Sequence, residues 1–173
     1  MRYSWNHAST LPAFSMIELM VVLAIMALLA TITLTSFDFL RRSLVSLELG
    51  RLYHALNYTR QLALTTNQPQ TLQFDVAHQG YSYGANTTTL NSATKFGTRP
   101  QSYGPPADPK TLIVHPITFA HGRVTAEPTG VLSPGALYLT DAGASVTYAL
   151  TVPISQATLL RQYHLVGHKW ERL

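Results

Sequence analysis

The chain has no cysteine among its 173 residues. That excludes a disulfide framework, a thiolate nucleophile and any cysteine-ligated metal site. It leaves an extracytoplasmic location open, because many such domains hold together without disulfides. Charge is also scarce, at 12% of residues, which is low for a free soluble protein and suits a subunit buried among neighbours. The sequence contains no Gly-x-Ser-x-Gly, no phosphate-binding glycine loop and no His-Glu-x-x-His. Asp75, Asp108, Glu127, Asp141 and Glu171 are dispersed along the chain, so no paired-carboxylate site is legible. The expectation is a protein that is not an enzyme and needs no cofactor. Proline is missing from the whole interval between Pro12 and Pro69, which allows one long helix to start near the N-terminus.

Within that interval lies an apolar run from Phe14 to Phe37 whose one charged residue is Glu18. About 24 residues at 1.5 Å each span roughly 36 Å, enough to cross a bilayer. A carboxylate in such a helix costs about 3 kcal/mol at membrane depth, so its presence implies a partner group. A secretory signal would have a shorter apolar core followed by an Ala-x-Ala site, whereas Thr31-Ile32-Thr33-Leu34-Thr35-Ser36-Phe37 follows Ala30. A plain membrane anchor accounts for the length but not for Glu18. A buried core helix of this continuous hydrophobicity would be unusual. Flanking charge gives no help with orientation, since Arg2 precedes the run and Arg41 and Arg42 follow it.

Phe14-Ser15-Met16-Ile17-Glu18-Leu19-Met20-Val21-Val22 resembles the cleavage and methylation motif of type IV pilins and type II secretion pseudopilins. The resemblance implies a leader over 1–13 and cleavage by a prepilin peptidase between Ala13 and Phe14. It also implies N-methylation of Phe14, and a Glu18 carboxylate that meets the N-terminus of an adjacent subunit. Ala13 departs from the glycine usual before the cut. The implied setting is a single-pass inner-membrane protein with its C-terminal domain in the periplasm. The implied partners are other pilin or pseudopilin subunits, the peptidase, membrane lipid and an inner-membrane assembly platform.

Beyond a membrane segment at 14–38, the helical period continues over 39–67. Val45, Leu49, Leu52, Leu56, Thr59 and Ala63 recur at spacings of four and three, a stripe for one side of a helix. Arg41, Arg42, Glu48, Arg51, Asn57 and Arg60 fall largely off it, and Gly50 is its softest point. Asn67-Gln68-Pro69 supplies a stop. A β-rich domain is then expected over 68–173. Leu72, Phe74 and Val76 alternate with polar residues before Ala77-His78-Gln79-Gly80, which predicts a hairpin into Tyr81-Ser82-Tyr83. Residues 84–110 read as a long exposed loop. Further strands are expected near Leu112–Phe119, Arg123–Ala126, Ala136–Leu139, Ser145–Val152 and Thr158–Val166. The class is α+β, a long N-terminal helix packed against an antiparallel sheet of five to seven strands.

Thr59-Arg60-Gln61-Leu62-Ala63, Asn67-Gln68-Pro69 and Leu72-Gln73-Phe74-Asp75 resemble the segment that ends the helix in the GspH/FimT subfamily. Ile117-Thr118-Phe119-Ala120-His121-Gly122 is similar to its Phe-x-x-Gly strand. This likeness implies a minor pilin or pseudopilin near the tip of a type II secretion pseudopilus or type IV pilus. A second function competes at the C-terminus. Arg161, Lys169 and Arg172 stand among His164, His168, Tyr163 and Trp170, a mixture able to contact phosphates and stack on bases. Some FimT-like pilins bind DNA in natural transformation through a C-terminal Gly-Arg-x-Arg, from which Gly167-His168-Lys169-Trp170-Glu171-Arg172 departs. The competing reading is a solvated final strand whose aromatic residues pack on the sheet, and nucleic acid is the less favoured partner. His164 and His168 are four apart but in strand-and-turn sequence, so no metal site is expected.

Overall fold

The computed structural model describes residues 15–153 and 159–173, and within the helix the side chains of 31–39 are left aside. Two compact units divide after Phe39. Helix α1 is Met16–Thr66; its early part belongs to the first unit, and its part from Leu40 belongs to the second with every strand.

In the second unit the stripe legible in sequence is the buried face. Val45, Leu49, Leu52, Leu56, Thr59 and Ala63 are all buried, with Ala55 beside them. Each leucine withdrawn from water there contributes roughly 1.5–3 kcal/mol before chain entropy is counted. One expectation for this helix fails: Glu48, placed largely off the stripe, is fully buried. It lies one residue before Leu49 and three after Val45, at the margin of a buried face broader than the apolar residues mark out. Thr66 ends the helix, and Asn67 follows in the left-handed region at φ 52°, a conformation asparagine adopts more readily than most residues.

The strands are β1 (Gln70–Asp75), β2 (Gly80–Tyr83), β3 (Asn86–Thr89), β4 (Thr94–Phe96), β5 (Tyr103–Gly104), β6 (Thr111–Leu112), β7 (Arg123–Ala126), β8 (Gly135–Asp141), β9 (Thr147–Val152), β10 (Arg161–Val166) and β11 (Lys169–Arg172). A first sheet runs β3-β2-β1-β7 and a second β11-β10-β9-β8-β4, while β5 and β6 form a small pair. All described pairings of named strands are antiparallel, and the α+β class is the one the sequence predicts. The hairpin over 72–83 forms as expected, with Leu72 opposite Tyr83 and Phe74 opposite Tyr81.

Two expectations need correction. The interval 84–110 is not one exposed loop: it supplies β3, β4 and β5 and buries Leu90, Thr94, Phe96 and Ser102. Its anchors are single apolar residues separated by polar ones, too sparse to register as a period. The strand expected over Leu112–Phe119 shrinks to Thr111–Leu112 and a bridge from Ile117 to Leu137. Pro116 lacks an N–H and serves only as an acceptor, taking the Tyr138 N–H at 2.8 Å, while Thr118 N–H donates to the Ala136 carbonyl at 2.8 Å. One edge of β8 is thus shared, with 116–118 beside Ala136–Tyr138 and β4 beside Leu139–Asp141.

One core joins the helix stripe to both sheets, including Leu72, Phe74, Leu137, Leu139 and Leu150. Phe74 and Phe119 stack at 5.9 Å within it. Strand β9 is buried along its whole length, because the second sheet is covered on its outer face as well. There Ala136, Tyr138 and Ala149 lie under Ile113, Tyr163 and Trp170.

Candidate assembly surface

Ser15 starts α1. The Glu18 N–H donates to the Ser15 carbonyl at 3.1 Å and to its hydroxyl at 3.2 Å, the first half of a capping box at the helix start. Ala13 and Phe14, the expected cleavage and methylation residues, lie outside the described residues. So do 31–38 as side chains, and with them part of the expected span 14–38. Among the described residues no helix is long and apolar enough to cross a membrane. Within its own unit, the helix from Met16 to Leu29 exposes Ile17, Leu19, Val21, Leu23, Ile25 and Leu29 to at least half their surface. These positions go round the helix rather than along one stripe. Such a surface needs cover on every side, and Glu18 is the one ionisable group on it.

The structure separates the basic residues of the C-terminus. Side chains alternate across a strand, and the registers pair Tyr163 with Arg172, Leu165 with Trp170 and Arg161 with Thr151. Arg161 and Arg172 therefore share the outer face of the second sheet, whereas Lys169, opposite Val166, belongs to the other. Trp170 is held in place: its ring lies 5.9 Å from that of Tyr138, and its indole N–H donates to the Tyr103 carbonyl at 2.7 Å. Burial pushes the Tyr138 phenol up to about 12, so it stays neutral under that ring. Arg161 borders an apolar groove of about 440 Å³ with Pro105, Pro134, Ala136, Val152 and Tyr163, and its Nε is buried with no hydrogen-bond partner.

His164 points to the inner face and stacks on Tyr148 at 4.5 Å. Burial, and then the nearby Arg42 guanidinium, lower its pKa, while Glu171 acts the other way. Among the described residues no three metal-ligating side chains converge.

Two buried carboxylates that sequence reasoning did not single out act as structural groups. Glu48 Oε1 accepts from Arg51 Nη1 at 2.9 Å and from the Asn91 N–H at 3.3 Å, tying the helix to the segment between β3 and β4. Asp141 Oδ1 accepts the N–H groups of Ser145 at 2.6 Å and Val146 at 2.9 Å, and Oδ2 accepts the Ser145 hydroxyl at 2.9 Å. Burial acts to raise the Asp141 pKa, but those hydrogen bonds outweigh it and hold the carboxyl below its ordinary value. The signal for Asp141 was present, since Asp-Ala-Gly-Ala-Ser is a turn sequence in which aspartate bonds backbone a few residues on. Glu48 left no such signal.

Residues 48–157, more than half of the chain, match the family described as Type II transport protein GspH. The chain belongs to the GspH family of type II transport proteins. Its fold is similar to that of the minor pseudopilin EpsH from the type 2 secretion system of Vibrio cholerae, at 15% identity and a TM-score of 0.49, covering 68% of this chain and 94% of that one. No curated protein matches the chain significantly.

Proposed function

We propose that the chain is a minor pseudopilin of a type II secretion system, made as a precursor and assembled near the tip of the pseudopilus. In this reading prepilin peptidase cuts between Ala13 and Phe14, and the new Phe14 amine is methylated. The apolar helix holds the protein in the inner membrane with its domain in the periplasm until an assembly platform moves it into the filament. Glu18 then meets the methylated amine of a neighbour and sets the axial register. The observation that carries this reading is the early part of α1, apolar on all sides and bearing a single carboxylate less than one turn past Ser15. A carboxylate there is tolerable only where a cation compensates it.

The test is Glu18→Ala. It removes the charge that opposes insertion, so membrane integration is unchanged while incorporation into the filament is lost. Normal secretion by that variant would sink the proposal, as would a mature protein that mass spectrometry finds still beginning at Met1. A DNA-binding minor pilin draws no specific support, because Lys169 is turned away from Arg161 and Arg172 and the Trp170 ring is engaged by Tyr138.

A further inference from the structure

On the outer face of the second sheet one cross-strand row is floored by small side chains. The registers set Arg161 of β10 opposite Thr151 of β9, and Thr151 opposite Ala136 of β8. Thr118 completes the row, its hydroxyl accepting the Ala136 N–H at 2.8 Å. Residues directly opposite share a face, and neighbouring strands lie about 4.8 Å apart. The row is therefore about 14 Å long, the reach of about four residues of extended chain. On one side the next row carries Tyr163 and Tyr138, with the Trp170 ring packed on Tyr138. On the other stand Pro134 and Pro153, where β8 begins and β9 ends. The trough between them is the apolar groove of about 440 Å³.

Its charge is one-sided. Arg161 is the one charged side chain lining it. Nε of that guanidinium is buried with no hydrogen-bond partner, and no ion pair among the described residues involves Arg161. Arg172, on the same face, adds a second positive charge, while Glu171 lies opposite His164 on the inner face. Residues 154–158, outside the described residues, contain no acid. A guanidinium is best matched by a carboxylate, whose two oxygens fit its planar fork. The remaining walls are mainly apolar, which asks for apolar groups on either side of that carboxylate.

We propose that this trough binds an extended peptide segment of another protein, with an aspartate or glutamate against Arg161 and apolar residues beside it. A second cavity of about 540 Å³, next to Ile113 and Tyr138, shares Pro105 and Thr118 with the trough. Two adjoining compartments suit a chain segment better than one small carboxylic acid. The occupant is not a second copy of this chain, whose eight acids are all engaged elsewhere. Glu18 and Asp38 lie in α1, and Glu48 and Asp141 are buried. Asp75 bonds His78, and Asp108 pairs with Lys110. Glu127 sits in a turn closed by bonds to Gly130 and Val131, and Glu171 belongs to β11. None of them stands in an unpaired extended segment. Every residue of the site belongs to the second unit, so it does not depend on the assembly reading.

The test takes the full chain in zwitterionic nanodiscs and an array of blocked pentapeptides. Each has a central glutamate with alanine, valine, leucine or proline at the other positions, and a matched array carries glutamine instead. The expected result is a set of glutamate peptides that bind about tenfold tighter than their glutamine counterparts, as one charged hydrogen-bonded pair requires. Arg161→Gln binds both arrays alike while keeping the wild-type thermal unfolding, and Lys169→Gln, on the other face, retains the preference. Arg161→Glu moves the preference to the same peptides with a central lysine. No preference for glutamate in the wild-type chain, or one that survives Arg161→Gln, overturns the site. Displacement of the peptides by an equal concentration of dodecanoate assigns the trough to a free fatty acid and overturns it too. Displacement by oligothymidylate, or self-association that Arg161→Gln abolishes, has the same consequence.

Discussion

The early and late parts of α1 are built from similar residues and obey different rules. From Met16 to Leu29 large apolar side chains go round the helix and stay exposed within their unit. From Val45 to Ala63 the buried ones keep to one stripe in the core shared with both sheets, while Leu47 and Tyr58 stay half exposed off it. A helix with a stripe is completed by its own chain, while one that is apolar all round must be completed by something else. The first part therefore depends on cover from outside its unit and the second on folding, and substitutions should sort accordingly.

The largest contrast comes from truncating leucines. Leu52→Ala or Leu56→Ala, each at a fully buried site, is expected to lower domain stability by about 2–5 kcal/mol. Leu23→Ala, in the exposed early part, should leave chemical denaturation of the domain unchanged. Equal effects would erase the distinction. Next is Glu48→Ala, which leaves the Asn91 N–H without its acceptor and should cost about 1–3 kcal/mol. Retention of full stability would show that water takes over that bond.

Two pH effects follow. Asp141 has a depressed folded pKa, so its contribution is present above the ordinary carboxylate value and is lost as pH falls through the folded one. Asp141→Asn should flatten the acid limb of the stability curve. His164 also has a lowered folded pKa, so the unfolded chain binds its proton first and stability declines as pH drops below about 6.5. His164→Phe should remove that decline while keeping the stack on Tyr148, and a persistent decline would assign it to another group. The smallest effect expected is a gain. A Cβ at Gly50 meets nothing within 4 Å, so Gly50→Ala should raise stability by about 0.5–1 kcal/mol through helix propensity alone.

Much of the architecture was legible where a period persists. The stripe from Val45 to Ala63 and the alternation from Leu72 to Tyr83 name their own buried residues, and Asn67-Gln68-Pro69 marks the end of the helix. The interval 84–118 was misread because its strands are two to four residues long and set by distant partners, such as Tyr138 for the Gly97 N–H. Edge strand β11 forms as the solvated final strand expected of the C-terminus, paired with β10 and with Trp170 against Tyr138, although its exact bounds had no period to mark them because its other residues are polar and exposed. The candidate assembly site divides in the same way. Glu18 stands out as a lone charge in an apolar run, whereas the burial of Glu48 has no mark in the residues themselves.

What the residues determine unaided is local and periodic: a helix without proline, its apolar surround, its inner stripe, and a carboxylate that needs a partner. Those properties depend on neighbours three or four positions away. Tertiary structure alone decided which of Arg161, Lys169 and Arg172 share a face, and that Glu48 belongs to the core. Each of those outcomes depends on a pairing between residues tens of positions apart, where the energy lies in the match and not in either residue.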